Sequence, residues 1–308
     1  MLTCPECFKS LSINNPLACE ACGWIGSKHE AIPDYLTAHE MEDPVFREYL
    51  KNYDDIAEED LKKGIQDERY VKNQAFNVAE LLGPIRGCKV AEIGSGKGYL
   101  VAELLKRGAN RVTAIDIALP YLMRLRGQAS VDPVRANAES LPFRNEFDVV
   151  VSTDVMEHVL NLGSFLYSVN RALRKNGKIC IRVPYRENLL GYSPHLGCRF
   201  KLVHLRVFDK RLLADCMESA GFVVKEFSLG GFGLGMPRRF WTCGGFRAEL
   251  YNLIRKWAES RLEHPADVAF WRSWYARFLM RPITLSVIAR KKFDIQPRRE
   301  GGFDLIKS

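Results

Sequence analysis

The chain has 308 residues, of which 47% are hydrophobic, and 45 Lys or Arg against 37 Asp or Glu give a formal net charge of +8. That composition is ordinary for a globular protein with one large domain and additions, or with two domains. No run approaches the roughly 18 apolar residues of a membrane span, and the opening MLTCPECFKS has no apolar signal region, so neither a spanning nor a secreted protein is expected. The basic balance suits nucleic acid, phospholipid or a phosphorylated acceptor, or else a solvated basic face. Nine cysteines in a chain expected to stay in the cytosol point to metal or free thiols rather than disulfides.

The first element is a cysteine framework over 1–40. Cys4-x2-Cys7 is followed by eleven residues and then by Cys19-x2-Cys22. Each pair forms a tight turn that aims two thiolates at one ion, and four thiolates suit tetrahedral zinc. So short a segment has almost no core, so the metal holds it together. Four thiolates leave no open coordination position, and the zinc is expected to be structural.

A charged, helix-like linker follows over 41–75, and its pattern runs on through VKNQAFNVAELLG to the stop at Gly83-Pro84. From 76 to 230 strand and helix patterns alternate. KVAEIG, RVTAID, PVRAN, FDVVVST and KICIRVP read as strands, with helices YLVAELLKRG, PYLMRLRGQA and LGSFLYSVNRALRKNG between them. Such alternation predicts an α/β fold with a doubly wound parallel sheet, whose ligands bind at the carboxyl ends of the strands. A sixth strand, VVKEFSLGG, follows the helix RLLADCMESAGF. ITLSVIARKK (283–292) is the last core strand, set beyond an insertion at 231–282.

The stretch EIGSGKG decides the ligand class. A phosphate-binding P-loop needs GxxxxGK followed by Ser or Thr, but alanine stands at 91 and Gly98 follows Lys97. A dinucleotide GxGxxG would need glycine where Tyr99 stands, and Glu92 would repel a pyrophosphate. A cationic cofactor without phosphate fits better: glycines let the backbone approach it, and a carboxylate nearby suits its charge. Asp116 ends the second strand, 24 residues after Glu92, where a carboxylate can accept both hydroxyls of a ribose.

EIGSGKG, AIDIA, NAESLPF, FDVVVSTDVMEHV, LRKNGKICIRVP and HLRVFDKRLLADCMESAGF together resemble, in order and spacing, motifs of the class I S-adenosylmethionine-dependent methyltransferases, closest to the ubiquinone and small-molecule branch. The likeness covers about residues 75–230 plus the last strand. It implies a seven-stranded Rossmann-like sheet and S-adenosylmethionine as cofactor. Glu92, Gly94, Ser95, Gly96 and Gly98 would line the cofactor, with Asp116 and Ile117 at the ribose. Asn137, Ala138 and Glu139 would sit at the adenine edge and Asp154 at the methionine end. Asn137-Ala138 departs from the family's frequent Asp-Ala. Residues 1–36, ending in IPDYL, resemble zinc-ribbon segments fused to, or partnering, some methyltransferases, of which some act on ribosomal RNA and others on small molecules.

Methyl transfer is an in-line displacement that depends on alignment, and an oxygen acceptor usually needs a base. Candidates lie after the fourth and fifth strands. His158, His204 and Tyr185 are the catalytic candidates, each with a competing structural role: capping or packing for His158, and loop orientation for His204 with Arg206 in an ion pair. Glu157 stands beside His158. His195, in a polar loop, is expected to be solvated.

The insertion at 231–282 holds nine Lys or Arg against four Asp or Glu, and four of the five tryptophans. It reads as a basic, aromatic helical cap on the core, a contact for a membrane surface or lipid-linked acceptor, or a base-stacking surface. A flexible tail is expected at 293–308. The leading expectation is methyl transfer to O or N of a small organic acceptor, such as a saccharide, a lipid-linked intermediate or a secondary metabolite. The protein would then work in the cytoplasm, or at the inner membrane surface if the acceptor is lipid-linked. A methyltransferase acting on rRNA or tRNA is the alternative. The ribbon speaks against it, having few basic residues and several acids, which is poor for phosphate contacts. A non-catalytic partner protein is the third reading.

Overall fold

The computed structural model describes residues 1–65, 68–193, 195, 198–234, 253, 280–297 and 303–305. The two cysteine turns lead into a hairpin of β1 (Ser27–His29) and β2 (Ile32–Asp34), joined at Glu30 and Ala31, both with positive φ. Thr37 and Glu40 form a reciprocal capping box that starts α1 (Ala38–Glu42). Asp43 caps α2 (Pro44–Lys63), which opens on proline at its first turn and stops at Gly64 in a positive-φ conformation. The linker expected as one helical stretch is therefore broken here, and α3 (Glu68–Leu82) is continuous across residue 75.

Alternation then builds the core: β3 (Lys89–Ile93), α4 (Tyr99–Lys106), β4 (Arg111–Asp116), α5 (Leu119–Leu125), β5 (Val131–Arg135), β6 (Phe147–Thr153), α6 (Leu162–Ala172), β7 (Leu173–Pro184), α7 (Lys210–Ser219), β8 (Phe222–Leu234) and β9 (Met280–Lys291). The sheet order is β1-β2-β5-β4-β3-β6-β7-β9-β8. β5 through β7 run parallel, and β9 is antiparallel to both neighbours. This is the expected seven-stranded doubly wound sheet, extended at one edge by the ribbon hairpin, because β2 pairs in parallel with β5 at Asp34 and Arg135.

Two apolar layers sandwich the sheet. α3 and α4 cover one face over Val90, Val112, Val149 and Val151. α6 and α7 cover the other over Ile93, Ile115, Val150 and Ile181, and the ribbon's Trp24 and Tyr35 join that same core. Met1, Thr3 and Leu2 tie the ribbon to the loops around Phe143 and to Arg171, whose guanidinium also lies 4.2 Å over the Phe8 ring.

Three boundaries differ from expectation. α6 ends at Ala172 rather than at Gly177, because Leu173 already pairs with Phe147 in the sheet. β8 and β9 are longer than their apolar runs and pair out to Leu234 and Met280, which sets the two ends of the insertion side by side. Part of the tail expected to be flexible is ordered: Ile295 is buried, Asn170 bonds to Phe293 and Ile295, and β10 (Ile295–Pro297) pairs with β11 (Phe303–Leu305). The helical cap and tryptophans expected within 231–282 lie outside the described residues. No helix among the described residues is long and apolar enough to cross a membrane.

Candidate active site

The glycine loop turns between β3 and α4 with Gly94, Gly96 and Gly98 all at positive φ. Gly94 N–H donates to Ile115 O at 2.8 Å, and Gly96 N–H donates to Asp116 Oδ2 at 2.9 Å, which pins the loop against the end of β4. A Cβ at Gly94 would meet Val155 Cγ2 at 2.3 Å, and one at Gly98 would meet Leu125 Cδ2 at 2.3 Å. A side chain at either position would have to displace its neighbour and bear the strain of a positive φ.

Above it opens a cleft of about 290 Å³, walled by the loop, by α2 and α3, and by the ends of β6 and β7. Of the expected cofactor residues, Glu92, Gly94, Ser95, Gly96 and Asp154 line it. Glu92 is fully buried and one of its oxygens has no hydrogen-bond partner. Burial and then the Asp116 charge push its carboxyl well above the usual range, against the pull of Arg182. Asp154 adopts a positive φ of 54°, and Arg182 grips its carboxylate while donating to Gln74 Oε1 at 3.0 Å. Lys97 reaches α2, where its Nζ lies 2.8 Å from Asp60 Oδ1, and Tyr121 donates to the other Asp60 oxygen at 2.9 Å. Burial works against Asp60, but these bonds and that from Ile65 N–H hold it below the usual carboxylate range.

Of the remaining cofactor candidates, Gly98 sits between the cleft-lining Lys97 and Tyr99, and the others lie outside this cleft, toward α1 and α2. Asp116 accepts from the backbone N–H of Gly96 and of Ala118, each at 2.9 Å, and burial still pushes it up to about 6. Ile117 packs against Phe46, Tyr49 and Leu50 of α2. Asn137 Nδ2 donates to Glu40 Oε1 of α1 at 2.8 Å, and Glu139 Oε1 accepts from Leu160 N–H at 2.7 Å. Ala138 packs on the core, and Gly98 caps α4.

His158 and His204 meet in a compact cluster with Glu157, their donor atoms within 4.8 Å of one another. His158 Nδ1 bonds to Val203 O, and burial followed by repulsion from His204 lowers its pKa to about 4, so the ring is neutral. Glu157 is buried with neither oxygen hydrogen-bonded, His158 Nε2 lying 3.7 Å from its Oε1, and burial and the Asp154 charge raise it well above the usual range. His204 Nδ1 lies 2.5 Å from Glu187 Oε2, and its ring stacks on Tyr192 with centroids 3.9 Å apart. Tyr53 of α2 stands edge-on to His158 at 5.7 Å.

Tyr185 is not part of this cluster. It continues the strand through its N–H to Ile283 O and packs on the core, with Arg186 over its ring. His195 is exposed, as expected. Among the described residues Arg206 makes no ion pair. Its guanidinium donates to the carbonyls of Met156, Val159 and Leu160, which the irregular turn after β6 leaves unpaired. Sequence reasoning missed Asp60, Gln74, Arg182 and Glu187. Only Arg182 carried a signal, as a lone cation in the apolar strand KICIRVP.

In the ribbon, Cys4 Sγ lies 3.6 Å from Cys22 Sγ and Cys7 Sγ 3.5 Å from Cys19 Sγ, with all four thiols in one group. A tetrahedral ion with metal–sulfur bonds of about 2.3 Å sets its sulfurs about 3.8 Å apart, so the donor set is compatible with a zinc ribbon. The separations are far too long for disulfides.

A family model described as "Methyltransferase domain" matches residues 91–181. A Mycolicibacterium smegmatis protein named "Probable S-adenosylmethionine-dependent methyltransferase" is 31% identical over 194 residues, which span 61% of this chain and 72% of that protein. A Schizosaccharomyces pombe protein named "Ubiquinone biosynthesis O-methyltransferase, mitochondrial" is 31% identical over 153 residues, covering 46% of this chain and about half of its relative, 54%. Among solved structures, a chain from a complex between the Haloferax volcanii Trm112 methyltransferase activator and a methyltransferase superposes with a TM-score of 0.55 at 16% identity, over 77% of this chain and 96% of that one. That similarity concerns the fold.

Proposed function

The chain belongs to the S-adenosylmethionine-dependent methyltransferases, and from that premise we propose that it moves a methyl group to O or N of a small organic acceptor, such as a saccharide, a lipid-linked intermediate or a secondary metabolite. S-adenosylmethionine supplies an electrophilic methyl on a sulfonium. The observation that carries the cofactor assignment is Glu92: a fully buried carboxylate with an unpartnered oxygen on the floor of a cleft invites a cation. Gly96 leaves open space beside it, where a Cβ would meet nothing within 4 Å. Arg182 and Asp154 present one charge of each sign to the amino-acid end, which itself carries both. Asp116, Ile117, Asn137, Ala138 and Glu139 form the other half of the site, toward ribose and adenine, under α1 and α2.

Recess supports the small acceptor. The side chains of His158 and His204 are only 13% and 12% exposed, and a polynucleotide base could reach such a place only by flipping out of its stack. The ubiquinone O-methyltransferase relatives act in a small-molecule pathway by name. Cys4, Cys7, Cys19 and Cys22 would hold a structural zinc that stiffens the ribbon where its hairpin extends the sheet. We place the enzyme in the cytoplasm, at the inner membrane surface if its acceptor is lipid-linked.

The test is a tritiated-methyl transfer screen across total RNA, lipid and small-molecule extracts, beside a thermal shift with S-adenosylhomocysteine. Label in the small-molecule or lipid fraction is expected. Label confined to RNA would replace the acceptor assignment, and absence of stabilisation by S-adenosylhomocysteine would refute the cofactor assignment.

A further inference from the structure

At the amino ends of the strands β7 departs from its ladder. Phe147 pairs with Leu173 and Val149 with Lys178, so residues 174–177 loop out opposite Asp148 alone. Asn176 sits at φ +61°, and a Cβ at Gly177 would meet Arg174 O at 2.8 Å, so the loop is tightly turned. It closes one side of a cavity of about 280 Å³ that also takes in Pro84 and Cys88 ahead of β3 and Arg290 on β9. Four cations line this cavity, Arg174, Lys175, Lys178 and Arg290, and Asp148 is the one carboxylate among its described lining residues. That carboxylate is already engaged: Oδ1 lies 2.6 Å from Arg174 Nη1, and Oδ2 accepts the Lys89 N–H at 2.8 Å. Lys178 and Arg290 stand directly opposite each other across the β7–β9 ladder, where like charges are destabilising. Lys178 Nζ donates to Leu82 O at 2.7 Å and Arg290 Nη1 to Asn176 O at 3.0 Å, so carbonyl dipoles rather than carboxylates receive them. Burial, and then the Arg290 charge, lower the Lys178 pKa. Lys178 precedes Arg182 of the cofactor cleft by four residues, about 13 Å along the strand, and the two cavities share no lining residue.

We propose that this cavity is a second binding site, separate from the cofactor cleft, and that it takes a phosphate group carried by a soluble small molecule or by a lipid headgroup. An opposed pair of cations costs stability, whereas a phosphate set between them makes both contacts attractive. Arg174 and Arg290 offer planar forks that match phosphate oxygens two at a time, and Lys175 and Lys178 add compact point charges. Four cations facing one spent carboxylate call for a ligand with more than one negative charge, which a phosphate supplies and a halide does not. The site stands on its own residues and does not depend on the methyltransferase reading.

Pyrophosphate is titrated by calorimetry into the full chain at about 0.15 M salt, where loose surface attraction is largely screened. Saturable binding of one pyrophosphate per chain is expected. Arg290→Gln and Arg174→Gln should each weaken it roughly 10- to 100-fold, the loss of a hydrogen bond to a charged group. Lys106→Gln, which removes an exposed cation on α4, should leave it unchanged. Without ligand, Arg290→Gln should melt no lower than wild type, because it relieves the opposed charges, and pyrophosphate should raise the melting temperature of wild type alone. Flotation with vesicles names the source. Capture on phosphatidic acid but not on phosphatidylcholine, competed by pyrophosphate, assigns the site to a lipid headgroup, and a pyrophosphate isotherm without capture assigns it to a soluble phosphorylated molecule. Absence of saturable pyrophosphate binding, equal weakening in Lys106→Gln, or retention of total RNA with no pyrophosphate isotherm overturns the proposal. A ligand-free Arg290→Gln that melts well below wild type overturns the argument from opposed charges on which it rests.

Discussion

Gly94→Ala probes the cofactor loop at its tightest point. Gly94 holds φ at +76°, where an L-residue costs about 1–2 kcal/mol. The new Cβ would lie 2.3 Å from Val155 Cγ2, and Val155 has a single, stiff side-chain torsion with which to withdraw. Overpacking of this kind costs about 1–3 kcal/mol, so the substitution should destabilise by about 2–5 kcal/mol in all. The two parts separate in a double-mutant cycle with Val155→Ala, which removes the clash but not the backbone cost. Urea unfolding at 25 °C of the wild type, both single variants and the double variant measures them. A coupling of about 1–3 kcal/mol favouring the double variant is expected, with S-adenosylhomocysteine affinity weakened in Gly94→Ala. Strict additivity, or a Gly94→Ala cost below about 1 kcal/mol, would refute the packing argument.

Glu92→Gln should weaken S-adenosylmethionine roughly ten- to a hundredfold more than the uncharged thioether S-adenosylhomocysteine, since only the sulfonium feels the lost charge. Calorimetry in buffers of different ionisation enthalpy should also show a proton released on binding to wild type but not to Glu92→Gln. Equal weakening of both ligands would count against the assignment. Asp116 is raised to about 6 by burial, so the native state holds its proton where the unfolded chain has lost it. That contribution to stability is complete below about pH 4 and is lost as pH rises to about 6, by up to about 3 kcal/mol. Asp116→Asn should lack this fall, and parallel urea curves for the two proteins from pH 4 to 7 would exclude it. Treatment with 1,10-phenanthroline should remove about one zinc per chain and lower the melting temperature of the whole protein, because β2 is hydrogen-bonded to β5 and Trp24 packs in the main core. An unchanged melt of metal-free protein would sever that link.

Features set by neighbours in the chain were legible in advance. The cysteine pairs, the glycine turn after KVAEI and the alternation of strands and helices are local patterns, and each appears in the expected order, with boundaries shifted at α6, β8 and β9. The order and spacing of the methyltransferase motifs carried the cofactor. Features assembled from distant segments were not legible. Asp60 meets Lys97 across 37 positions and Asp34 meets Arg135 across 101, since α2 folds back over the carboxyl edge and the ribbon adds to β5. Tyr185 was a reasonable candidate by position, yet Ile283 on β9 claims its backbone and the core claims its ring. His204 was visible in the sequence, but its partner was not: Glu187 lies 17 residues away, and only the turn at Tyr192 brings that carboxylate to the imidazole. Sequence by itself determined the sheet, the glycine loop and the four thiols, because residues a few positions apart must meet. Tertiary structure alone decided which charges share a cleft, because strand order brings together loops that the chain keeps far apart.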